Sequence, residues 1–130
     1  MSNSIASYQF DNGITLTFLD ETVHYYGGFH HVVVTALISC AVTPHLIPPD
    51  LPPEETRALA GTTVSRRTRL ERMGVPMEQT AAVRDELMSA FRDSSSTYLA
   101  HPGFPERFIR SEIAARRKTA RTHSPRFFTA

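Results

Sequence analysis

The sequence predicts an α+β fold: a small antiparallel β-meander of three or four strands packed against two C-terminal helices. Three observations carry that expectation. Apolar and polar residues alternate around turn-forming glycines through residues 14–42. Thr80, Val83, Leu87 and Phe91 recur at helical spacing. Pro105 opens a further stretch in which Phe108, Ile109 and Ile113 fall on one helical stripe.

A chain of 130 residues is the size of one domain, so residues 1–130 are expected to share a single hydrophobic core. Hydrophobic residues make up 41% and charged residues 21%, which excludes both a charge-dominated disordered chain and a membrane protein. The expected organisation is a meander over 1–43, a proline-rich loop over 44–53, a mixed and mainly helical part over 54–118, and a flexible tail over 119–130.

Strands are expected near 6–10, 14–26 and 29–42. Asn12-Gly13 supplies the first turn, and Ile14, Leu16 and Phe18 alternate with Thr15 and Thr17 beyond it. Gly27-Gly28 supplies a second turn, across which Tyr26 would pair with Phe29, Tyr25 with His30, His24 with His31 and Val23 with Val32. Unbroken, that register sets Ile14, Leu16 and Phe18 opposite the face bearing Val32, Val34, Ala36, Ile38 and Cys40. A one-residue bulge between Leu19 and Thr22 would bring Ile14, Leu16, Phe18, Val23 and Tyr25 onto that apolar face. Val33, Leu37 and Ala41 make the other face of the third strand apolar as well, so cover is expected on both sides.

Pro44, Pro48, Pro49, Pro52 and Pro53 deny backbone donors and mark the following loop. Pro53 can open a short helix that Gly61 ends. Thr62-Thr63-Val64 is β-branched, and Val64 and Leu70 share a strand face but not a helix face, so 62–71 reads as a fourth strand. Gly74-Val75-Pro76 punctuates the chain, and helices are expected at 76–92 and 105–118.

Charge is divided along the chain. Residues 1–56 hold six acids and no Lys or Arg, whereas residues 57–130 hold 14 cations against 7 acids. The two halves should attract each other, within the fold or across a dimer. The longest apolar runs fall far short of the roughly 20 residues of a membrane span. No secretory leader is legible at the N-terminus, and Cys40 is the single cysteine. A cytoplasmic protein with no membrane association is expected.

Candidate sites are few. His24 and His31, set opposite each other by the expected hairpin, are the candidate metal ligands, but neither His45 nor an acid is placed as the further ligand a zinc site requires. Cys40 falls on the apolar row as a small core residue, and Asp20-Glu21 falls at the expected bulge as a solvated turn. Arg66, Arg67, Arg69, Arg116, Arg117 and Lys118 are candidate anion-binding residues, though no reading helix or RNA-binding aromatic signature accompanies them. Tyr26 and Phe29 at the second hairpin are the candidate interface residues, since aromatic side chains at a strand end are costly to leave in water.

No hydrolase, phosphate-loop or dinucleotide motif is present, so nothing anchors an enzymatic reading and no cofactor is expected. The residues favour a non-enzymatic protein–protein interaction or self-associating domain, most simply a twofold dimer. A nucleic-acid-binding module using the arginine-rich half is the alternative, and a metal-dependent or acid–base enzyme comes last.

Overall fold

The alternation across residues 14–18 begins the core. Ile14, Leu16 and Phe18 are each fully buried, while Thr15 and Thr17 on the other face are half-buried. The computed structural model describes residues 3–43, 54 and 61–123. It forms β1 (Asn3–Gln9), β2 (Ile14–Asp20), β3 (Val23–Tyr26), β4 (Phe29–Ala41) and β5 (Thr63–Pro76). A 3-10 turn, Met77–Gln79, leads into α1 (Thr80–Leu99), which α2 (Phe104–His123) follows.

All strand pairings are antiparallel. The β2 strand pairs with β4 from Ile14↔Cys40 to Asp20↔Val34, and β3 pairs with the beginning of β4. On its opposite edge β4 pairs with β5 along nearly its whole length, from Phe29↔Pro76 to Ala41↔Thr63. Consequently β2 and β3 lie end to end on one side of β4, with β1 outside β2 and β5 alone on the far side. The sheet is the expected meander, with the fourth strand present.

Both helices pack on the face that carries Ile14, Leu16, Phe18, Val34, Ala36, Ile38, Cys40 and Val64, to which they contribute Leu99, Phe108, Ile109 and Ile113. Phe18 meets Tyr8 and Phe91 edge to face, with ring centroids 6.1 and 6.0 Å apart. No described helix contacts the opposite sheet face through the core cluster, so the expected cover on both sides is present on one. Val33 and Thr35 are nevertheless buried there. Thr35 donates its hydroxyl hydrogen bond to Glu21, and Thr22 bonds both the N–H and the carbonyl of Val33.

The extra residue of the second hairpin is not where the alternation placed it. The register is unbroken from Ile14↔Cys40 through Asp20↔Val34 to Val23↔His31 and His24↔His30, and shifts only between His24 and Tyr26. Tyr25 is therefore the bulged residue, beside the turn. Tyr26 does pair with Phe29. The β2 residues gain the predicted face, but Val23 and Tyr25 stay exposed. The physical reason is local: Asp20 accepts a hydrogen bond from the Thr22 N–H and Glu21 donates to the Val33 carbonyl, so 20–22 holds to β4 without an extra residue.

The β5 strand runs five residues past its expected end. Gly74, at φ +67°, absorbs a bulge in which Met73 and Gly74 oppose His31, and pairing resumes at Val75↔His30 and Pro76↔Phe29. The first helix accordingly starts at Thr80 rather than 76 and continues through Ser94, Ser95 and Ser96 to Leu99. Ser94 and Ser95 donate to the Phe91 carbonyl at 3.1 and 2.6 Å, and Ser96 donates to the Arg92 carbonyl, so these hydroxyls bond back to the preceding turn instead of capping the helix. The second helix continues to His123, beyond the expected end at 118. The proline-rich loop and most of the helix expected before Gly61 lie outside the described residues.

Candidate interaction surface

The second hairpin and the far end of β5 meet at one end of the sheet. Strand alternation sends Val23, Tyr26 and Phe29 out from the face opposite the helices, with Tyr25 at the bulge. Pro76 pairs with Phe29, and the Met77 N–H donates to the Gly28 carbonyl at 3.0 Å, which brings β5 and the 3-10 turn against the hairpin. Val23, Tyr25, Tyr26, Phe29, Met73 and Met77 are all exposed there, from 47% for Phe29 to 75% for Tyr26. Apart from Ile5 and Tyr98, every exposed large apolar side chain among the described residues lies at this end. The two expected interface residues, Tyr26 and Phe29, belong to it, and no described helix covers them. The methionines were not legible as part of it, because β5 was expected to stop at residue 71.

The histidines are arranged differently from expectation. His24 opposes His30, with ring centroids 5.2 Å apart, and its Nε2 lies 2.5 Å from the Gly27 carbonyl oxygen. His31 faces away from them, with Nε2 3.2 Å from Glu71 Oε2. The pair His24 and His31 is thus not brought together, because the bulge sits at Tyr25. Among the described residues no group of three or more His, Cys, Asp or Glu could hold a metal ion. His45 lies outside them.

The arginines divide between two faces. Arg66 lies on the helix side, bonding Glu112 at 2.7 and 3.0 Å and Ser111 at 3.0 Å, with its guanidinium 5.2 Å from the Phe108 ring centre. Arg67 and Arg69 project from the open face, where Arg69 bonds Glu71 at 2.5 Å. The hydrogen bond from Arg69, more than its charge, holds the Glu71 carboxyl below its ordinary value. Arg116, Arg117 and Lys118 lie on α2, in the turns that follow Glu112, to which Arg66 bonds. Cys40 is buried, which pushes its thiol up and leaves it protonated at neutral pH.

A half-open recess of about 160 Å³ lies between β1 and α1, lined by Tyr8, Phe18, Asp85, Met88, Ser89 and Arg92. Arg92 covers the Tyr8 ring at 4.7 Å. It is smaller than the roughly 300 Å³ at which ligand pockets begin. No described helix is long and apolar enough to cross a membrane. Comparisons with protein-family models, curated proteins and solved structures gave no match for this chain.

Proposed function

We propose that this protein is a non-enzymatic interaction domain that self-associates through the apolar end of its sheet. The observation that supports the reading is the concentration of Val23, Tyr25, Tyr26, Phe29, Met73 and Met77 in one exposed cluster. Aromatic side chains and methionine are enriched at protein contacts, and contiguous apolar exposure is costly in a monomer. The occupant proposed is a second copy of the chain. Tyr26 and Phe29 pair across the hairpin and both are exposed, and a twofold axis can lay two such pairs against each other.

Sedimentation velocity at tens of micromolar tests the reading. The wild-type chain should sediment above monomer mass, and replacing both Tyr26 and Phe29 by Ser should lower that mass with helix content unchanged. A wild-type monomer, or a mass indifferent to the double substitution, would defeat it.

A further inference from the structure

β5 is the long edge of the sheet, fourteen residues that pair among the described residues only with β4. A strand edge of that length presents a row of backbone donors and acceptors to any extended partner. Which groups it presents follows from the register. The Val42 N–H donates to the Thr62 carbonyl at 2.9 Å, so even-numbered residues from 62 to 72 bond inward to β4. The odd-numbered residues 63–71 point their N–H and C=O groups outward.

An antiparallel partner must likewise offer outward groups. If the partner is another β5, odd residues must oppose odd residues, and the twofold axis must pass through a residue rather than between two. Few centres remain. Centring on Arg67 or Arg69 stacks that arginine on its own copy, Thr68 sets Arg67 against Arg69 twice, and Glu71 opposes its own copy. Each of these places like charges directly opposite, which is destabilising.

Centring on Leu70 does the reverse. Arg69 of each copy then faces Glu71 of the other, twice, and Arg67 lies over Met73. Leu70 meets Leu70 on the helix side of the sheet. The intrachain Arg69–Glu71 ion pair, N to O 2.5 Å, joins its symmetry mate in a four-charge network on the open face.

From this edge geometry we infer that β5 pairs antiparallel with β5 of a second copy about a twofold axis at Leu70, joining two sheets into one. The pairing builds on the self-association reading but uses the β5 edge, which shares Met73 and neither Tyr26 nor Phe29 with the hairpin end. Arg67 and Arg69 would guard the edge of a wholly cationic strand against such pairing. Glu71 makes this edge complementary to itself.

The test uses sedimentation equilibrium of the full chain in the Tyr26→Ser, Phe29→Ser background, with circular dichroism confirming that helix content is kept. With both contacts in place the wild type should exceed dimer mass, and that background should fall to a dimer held through β5. Adding Arg69→Glu sets carboxylates against each other twice and should weaken the dimer by roughly tenfold or more. Adding Glu71→Arg to Arg69→Glu reverses both signs and should restore it. In the dimer the outward amides of Arg69 and Glu71 should exchange slowly, and in the Arg69→Glu protein quickly.

A monomer in the Tyr26→Ser, Phe29→Ser background would overturn the β5 pairing while leaving the hairpin contact standing. So would a mass unmoved by Arg69→Glu, or no recovery on the double charge reversal. A wild-type chain that is itself monomeric would overturn both.

Discussion

Asp20 shows how one carboxylate fastens the sheet to the first helix. Burial pushes its carboxyl up, but hydrogen bonds from Thr22 and the ion pair with Arg84, N to O 3.3 Å, outweigh it and hold the group below its ordinary value. A carboxyl whose folded value is depressed stabilises the fold above its unfolded value and loses that contribution as pH falls through the folded one. Replacing Asp20 by Asn should therefore destabilise by about 1–2 kcal/mol at pH 7, a charge-assisted bond being at stake. The gap from wild type should close as pH drops below about 4, measured by urea unfolding at a series of pH values. An undiminished gap in acid would mean that packing, not charge, is lost. Neither Arg84 nor this pair was legible beforehand, because sixty-odd residues separate partners that only the packing of α1 on β2 brings together.

At the scale of elements, Asn12 connects two parts of the chain that local sequence cannot relate. Its Oδ1 accepts the Ile14 N–H at 3.1 Å in the first turn, and its Nδ2 donates to the Leu99 and His101 carbonyls at 2.6 and 2.9 Å. The Leu99 carbonyl ends α1, where no further helical N–H remains to satisfy it, while the His101 carbonyl lies just beyond and also accepts the Phe104 N–H at 3.0 Å. Asn12→Ala should cost about 1–3 kcal/mol by stranding part-buried backbone groups. Thermal unfolding measures that loss, and amide exchange should show it concentrated at the end of α1. The turn role of Asn12-Gly13 was legible from composition, but the clasp was not.

The same contrast holds for the strands. Alternation in β2 and β4 identified the core face correctly, because side-chain period in a strand is set by covalent geometry. The position of a bulge is not, since moving one extra residue from 19–22 to Tyr25 leaves the β2 face unchanged and alters which histidines meet and whether Val23 and Tyr25 join the apolar face. Gly74 was likewise legible as punctuation. That it prolongs β5 instead of ending it depends on His30 and Phe29 waiting across the sheet.

For the whole molecule, the acidic and basic halves are joined by Asp20–Arg84 and His31–Glu71. The pairs Arg66–Glu112, Arg69–Glu71 and Arg72–Glu86 instead lie within the basic half. Pairs within the basic half leave its net charge unchanged, so the charge division visible in the sequence is answered across the halves where Asp20 meets Arg84, and the meeting of two copies does not rest on it. What argues for their meeting is the uncovered apolar end. Tyr26 and Phe29 were legible there because a hairpin tip is a local feature. Met73 and Met77 were not, because their place depends on the β5 bulge.

Isotope-filtered nuclear Overhauser spectroscopy tests this claim most directly, on a sample that mixes labelled and unlabelled chains. Contacts between chains should appear from the ring protons of Tyr26 and Phe29 and weaken on dilution. Tyr26 and Phe29 rings whose only contacts lie within one chain, at concentrations where the protein sediments above monomer mass, would contradict the account.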